Sequence, residues 1–129
     1  MSAIQTYSSG RPWEIKYAHS RGISYGGVFE TCLTSPSDRD GSIVYVGDLY
    51  RQTIRCYEIV LGSLSEAGFE PANIVRSDVY MLDTRHWEEA ATAHAEIMGG
   101  RARPVLSFIG CANFWHPDIL VEVAIKAYR

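Results

Sequence analysis

A carboxylate set among apolar β-formers is the residue in this chain best placed to do chemistry. Glu122 sits in Ile119-Leu120-Val121-Glu122-Val123-Ala124, and an ionised group on a mostly apolar strand costs free energy unless it is paired or wet. A carboxylate in a partly dry cleft holds its proton more tightly than usual and can exchange it near neutrality, which suits general acid–base work. Other reactive side chains lack a comparable pattern. Cys32, Cys56 and Cys111 are odd in number and have no C-x-x-C spacing, so they read as reduced thiols of a cytoplasmic protein. Cys32 and Cys111 are expected to be small buried groups with no basic neighbour. His86 and His94 stand eight apart, too far for an i, i+4 metal pair, and no metal or other cofactor is expected. The glycines between Gly22 and Gly27 do not form G-x-G-x-x-G and read as a hairpin turn.

The elements that must position Glu122 follow from periodicity. A first strand is expected around Lys16–Ser24, closed by Gly26-Gly27, with a second near Val28–Thr34 and a polar loop over Ser35–Gly41. Asp48 is a candidate N-cap for a long helix to about Ala67. Its apolar stripe would comprise Ile54, Tyr57, Val60, Leu61 and Leu64, and Gly68 and Pro71 would stop it. A third strand is expected over Ile74–Leu82. A second helix capped by Thr84 would carry Glu88 and Glu89 in its first turn and end at Gly99-Gly100. Strands Val105–Ala112 and Ile119–Ala127 close the chain, and a further short strand is possible at the N-terminus. The order β-β-α-β-α-β-β predicts one mixed sheet with both helices on one face. In Val105–Ala112 neither alternate set of side chains is polar enough to face water, so the second face is expected to meet another subunit or to be covered by N-terminal residues.

Composition narrows the classes. At 129 residues the chain is expected to form a single domain over 1–129 with a core of its own. Hydrophobic residues at 47% and charged residues at 21% are ordinary for a globular protein. Ten arginines and two lysines are scattered, and the net charge of −3 argues against a nucleic-acid partner. The start Met1-Ser2-Ala3-Ile4-Gln5 predicts no secretory leader, and no apolar run approaches the length of a membrane span.

Four segments together resemble the RidA family, also called the reactive intermediate/imine deaminase or YjgF-like family. They are Asp48-Leu49-Tyr50-Arg51-Gln52-Thr53, Leu64-Ser65-Glu66-Ala67-Gly68-Phe69, Val79-Tyr80-Met81-Leu82-Asp83 and Leu120-Val121-Glu122-Val123, within a likeness from about Tyr17 to Ala127. The resemblance implies an α+β, chorismate-mutase-like fold, with a mixed six-stranded sheet and two helices on one face. It also implies a homotrimer with ligand clefts between subunits. The implied activity is hydrolysis of enamines and imines, or of aminomuconate-type metabolites, by a hydrolase (deaminase) acting on C–N bonds. The alternative is a non-catalytic trimer that senses or sequesters a small carboxylated or aromatic molecule.

The family's terminal-strand glutamate falls on Glu122. Its cleft tyrosine is replaced by His19, a second acid–base candidate because free histidine titrates at about 6.5. Its Ser-Gly pair becomes Thr31-Cys32, where Thr31 would orient a water. The arginine of the Pro-Ala-Arg run is lacking, because two residues after Pro104 stands Leu106, which places this chain among divergent members. Arg103 or Arg101 would then supply the counter-charge to a substrate carboxylate, while Leu106 and Phe108 would make the pocket more apolar. Trp115 and His116 would form either a cleft lid or an interface anchor.

Overall fold

The computed structural model describes residues 3–129; Met1 and Ser2, where the reading of the leader begins, lie outside the described residues. Its strands are β1 (Gln5–Tyr7), β2 (Gly22–Tyr25), β3 (Val28–Thr31), β4 (Ile74–Met81), β5 (Val105–Gly110) and β6 (Val121–Tyr128). Its helices are α1 (Pro12–Lys16), α2 (Leu49–Glu66) and α3 (Trp87–Met98). The six strands form one mixed sheet in the order β1-β2-β3-β6-β4-β5. β5 runs parallel to β4 at one edge and every other pair is antiparallel. This is the α+β architecture expected from the pattern. Among the described residues no helix is long and apolar enough to cross a membrane.

The core lies between one sheet face and helices α2 and α3. Val121, Val123, Ile125 and Ala127 of β6 alternate onto that face with Val79 and Met81 of β4 and Phe29 of β3. They meet Cys56, Tyr57, Val60 and Leu64 of α2 and Ala90 and Met98 of α3. Each large apolar side chain buried here is worth roughly 1.5–3 kcal/mol. The α2 stripe is rotated from the one expected. Its centre is Gln52, Thr53, Cys56, Tyr57, Val60 and Leu64, whereas Ile54 and Leu61 are half-buried at its margins.

Two polar members of that stripe have structural work. The fully buried Gln52 donates to the carbonyls of Val44 and Asp118 and accepts from the Leu120 amide, tying the chain down before β6. The last strand therefore opens at Val121 rather than at Ile119. Tyr57 joins Ser77 (2.6 Å) and Nδ1 of His94 (2.7 Å) across the helix–sheet interface.

The helix ends follow local rules, with two corrections. Asp48 caps α2 as expected, accepting from the Arg51 amide at 3.0 Å. Thr84 does not cap the second long helix: Asp83 caps the 3-10 turn Thr84–His86, accepting from the Arg85 amide, and α3 starts at Trp87 with His86 at its N-cap position and no side-chain cap bond. The strand expected from Lys16 is the larger departure. Pro12 begins α1, whose missing N–H and fixed φ suit a first helical position, and β2 starts only at Gly22.

The opposite face of the sheet carries Glu122, Ala124 and Lys126 of β6, Tyr80 of β4, and Val105, Ser107 and Ile109 of β5. Val105 is 57% exposed there. Leu106 and Phe108 point the other way, onto the helix side, and Phe108 lies against Trp87 with ring centroids 6.0 Å apart.

Candidate functional site

Glu122 forms the floor of a cavity of about 630 Å³, lined also by Trp13, Tyr17, His19, Arg21, Cys32, Leu33, Ser35 and Trp115. That volume lies within the usual range for small-molecule sites. Five segments build it. Glu122 is placed by the alternation of β6, whose Val121 and Val123 turn into the core while Glu122 turns away. Thr34 bridges Val123 in antiparallel register, with Thr34 N–H to Val123 C=O at 2.9 Å and the reverse bond at 3.2 Å. That pairing sets the next residue, Ser35, opposite Glu122, and its hydroxyl donates to Oε2 at 2.6 Å. Trp115 donates its indole N–H to the same hydroxyl at 2.8 Å. Trp115 is thus a wall of the cavity, and it packs on Trp13 with ring centroids 5.3 Å apart and planes tilted by 59°.

The electrostatics favour a protonatable carboxyl. Glu122 is 7% exposed, and burial raises its pKa above the ordinary carboxylate value. Hydrogen bonds from Ser35 and Trp115 and the charge of Arg21 oppose that rise without cancelling it.

Arg21 is the cation of the site, and it is committed to the fold. Its Nε donates to Glu14 Oε2 at 3.1 Å, its Nη2 pairs with the same oxygen at 3.1 Å, and Nη1 reaches Cys32 Sγ, the Leu33 carbonyl and Thr34 Oγ1. Glu14 takes further bonds from Ser8 Oγ at 2.7 Å, the Ser9 amide at 2.8 Å and the Ser9 hydroxyl. Burial alone would raise Glu14, but the bonds from Ser9 and Ser8 and the Arg21 charge outweigh it and hold its pKa below the usual range. This pair fastens α1 and its Trp13 and Tyr17 to the entry of β2. Ala18, in the left-handed region at φ 55°, makes the turn that brings His19 to the rim.

The sequence-derived candidates separate into groups. Glu122, His19 and Cys32 line one cavity. Cys32 is exposed rather than buried, and it has the basic neighbour that spacing did not reveal: Arg21 Nη1 lies 3.1 Å from its sulfur. Desolvation by the surrounding protein outweighs the Arg21 charge and raises the thiol above its ordinary value. Thr31 stands apart, its hydroxyl accepting from the Ile125 amide at 3.0 Å, and Ser35 holds the polar position beside Glu122. Arg103 and Leu106 border a different depression beside His94 and Met98, and Phe108 faces the helices. Arg101 spends its guanidinium on the Met98 and Ile97 carbonyls that end α3. Within one chain, therefore, neither Arg101 nor Arg103 faces Glu122. Among the described residues no cluster of three His, Cys, Asp or Glu side chains could hold a metal ion.

Trp13, Tyr17, Arg21 and Ser35 were missed. Trp13 and Tyr17 lie four apart after a proline, the one local signal that a short helix could present two aromatics together.

Comparison with known proteins points one way. Residues 13–129 match the family model described as Endoribonuclease L-PSP. An uncharacterised protein of Streptomyces coelicolor is 26% identical over 128 residues, covering 98% of this chain and 93% of that protein. The crystal structure of Rv2704 from Mycobacterium tuberculosis, described as a member of the YjgF/YER057c/UK114 family, superposes with a TM-score of 0.86. It is 28% identical and covers 98% of this chain and 100% of its own. The YjgF gene product of E. coli shares the fold at a TM-score of 0.84 with 19% identity, covering 97% and 98% of the two chains.

Proposed function

The chain belongs to the endoribonuclease L-PSP family, and from that premise we propose that it hydrolyses the C=N bond of small reactive imines, and of enamines once tautomerised, with Glu122 as the proton carrier. The observation that carries this reading is a buried carboxyl of raised proton affinity on the floor of an otherwise aromatic cavity. Protonated Glu122 gives its proton to the imine nitrogen, which makes the carbon electrophilic. The resulting carboxylate takes a proton from the attacking water, and the carbinolamine collapses to a carbonyl compound and ammonia or an amine. One water is consumed and the carboxyl ends as it began. Ser35 fixes the Oε2 side of the carboxyl.

The assembly implied by the resemblance, three copies with a cleft at each junction, is part of the proposal. The exposed Val105 on the open sheet face and the exposed Tyr17, Leu33 and Trp115 around the cavity support a neighbouring copy there. RNA cleavage, suggested by the family's description, fits less well with a net charge of −3 and an aromatic cavity whose arginine is spent internally. A binding trimer without turnover is the second reading, favoured by that same internal commitment of Arg21.

The test is release of ammonia or amine from imines and enamines generated in situ, with and without a substrate carboxylate. Removing a general acid–base group costs roughly 100- to 10,000-fold, so Glu122→Gln should lose at least the lower figure. Equal turnover by both proteins removes Glu122 from the mechanism, and saturable binding without any turnover favours the second reading.

A further inference from the structure

We propose that the depression between α2 and the segment leading into α1 is a second ligand site, which takes a compact oxyanion of the phosphate or phosphate-monoester class on Arg11, Arg39 and Arg55. The site does not depend on the chemistry at Glu122. It is lined by a flank of α2, on the helix side of the sheet, whereas Glu122 and the face read as meeting a neighbouring copy lie on the other side.

Arg11 is a buried cation short of a counter-charge. It is 4% exposed, and among the described residues it forms no ion pair. Neutral oxygens hold its guanidinium: Nε donates to Ser37 Oγ at 3.2 Å, Nη1 to the Ser9 carbonyl at 3.0 Å and Nη2 to the Ser37 carbonyl at 2.5 Å. Arg55 Nε donates to that same Ser37 carbonyl at 3.1 Å, so two guanidinium groups converge on one uncharged oxygen. Arg39 runs beside Gly10 and makes no ion pair or side-chain hydrogen bond among the described residues. Burial and the charges of Arg55, Arg21 and Arg39 all work against the charge on Arg11, and Glu14 offsets them only in part. An arginine cannot escape by shedding its proton. A buried charge without a partner is costly, and an anion seated here relieves that cost.

The acidic side chains nearby do not serve as that anion. Asp38 and Glu58 approach Arg55 alone, at 3.6 and 3.3 Å, and both are exposed, so water weakens these pairs. Glu66, in the last turn of α2, is exposed and pairs with no cation among the described residues. Glu14 is engaged by Arg21, Ser8 and Ser9.

Two residues of α2 point independently to a ligand. Ser63 is 3% exposed, yet its hydroxyl has no hydrogen-bond partner among the described residues, and its oxygen is not sealed from the depression it borders. Buried hydroxyls are normally satisfied, and this one is free to donate to an oxyanion. Gly62, one residue earlier, costs helix stability relative to alanine, although a methyl there would meet nothing within 4 Å. Packing inside the chain does not call for that glycine, and its bare backbone keeps the depression open. The volume of about 230 Å³ accommodates a phosphoryl group with a short carbon skeleton. It falls below the range of roughly 300–1,000 Å³ usual for larger ligands. Guanidinium forks match phosphate oxygens in paired hydrogen bonds, and a dianion gains more from three cations than a carboxylate does.

Isothermal titration of the full-length protein with inorganic phosphate, glycerol phosphate and acetate, at about 0.1 M ionic strength, tests the assignment. Phosphate should bind once per chain with a Kd of about 1 mM or tighter, and acetate at least about tenfold more weakly. Arg39→Gln breaks no internal contact of its guanidinium and should weaken phosphate about tenfold. Ser63→Ala loses no internal hydrogen bond of its hydroxyl and should weaken it roughly fivefold. Both variants should melt with the wild type when no phosphate is present. Arg103→Gln removes an equally exposed arginine outside the depression and should bind as the wild type does. Tighter binding of glycerol phosphate than of phosphate supports a phosphorylated metabolite as the occupant, and equal or weaker binding supports free phosphate. The assignment is overturned by absence of saturable phosphate binding, by acetate binding as tightly, by unchanged affinity in both Arg39→Gln and Ser63→Ala, or by an equal loss in Arg103→Gln.

Discussion

Replacing Glu14 with glutamine should cost roughly 3–5 kcal/mol, because it strands the guanidinium of Arg21 inside the protein without its counter-charge. The side chains are 2% and 4% exposed for Glu14 and Arg21, so solvent cannot take over the lost partner. Glutamine keeps the shape, but its NH₂ group faces donors already aimed at the carboxylate, from Ser8, Ser9 and Arg21. Against a total stability of about 5–15 kcal/mol the loss is large, and it corresponds to a fall in Tm of about 10 °C or more. Urea unfolding followed by circular dichroism measures it. The pH dependence gives an independent check. Glu14 has a depressed pKa in the folded protein, so its stabilisation is fully present above the unfolded glutamate value of about 4.3. It is lost as the pH falls through the lower folded value. The gap between the wild type and Glu14→Gln should therefore be constant near neutrality and close in acid. A difference under about 1 kcal/mol at neutral pH, or a gap that does not shrink in acid, would refute the claim that this pair fastens α1 beside the cavity.

Two further substitutions probe the helix–sheet interface and the cavity wall. Tyr57→Phe leaves Ser77 and His94 without their shared partner in a fully buried interface and should cost roughly 1–3 kcal/mol, read as a lower urea midpoint at unchanged slope. Gly41→Ala would place a methyl 2.7 Å from the Trp13 ring at a backbone φ of 93°. It should destabilise by roughly 1–3 kcal/mol and shift the tryptophan emission, and an unchanged spectrum and Tm would show that this approach does not position the cavity wall.

Much of this molecule was legible residue by residue. Asp48 and Gly68 bracket α2 because capping and left-handed termination are local events, decided by a few neighbouring side chains. Strands β4 and β5 announced themselves by β-branched and aromatic runs, and Glu122 by its apolar neighbours. Local reading failed where a signal was weak or overruled. Lys16–Ser24 looked like a strand, but Pro12 and the Glu14–Arg21 pair make helix and turn of its beginning. Alternation puts Leu106 and Phe108 on one face of β5 but not which layer that face meets, and the register of β5 on β4 turns both toward the helices rather than the pocket.

Most of the elements from β3 onward, their order and the one carboxyl worth suspecting were properties of the sequence alone, since propensity, capping and alternation act over a few residues. The company Glu122 keeps was decided only by tertiary structure. Trp13, Arg21 and Ser35 lie far from it along the chain. They converge because β6 inserts between β3 and β4 and because Thr34 pairs with Val123. Such pairings depend on register across a whole sheet, where a slip of one residue turns every side chain to the opposite face.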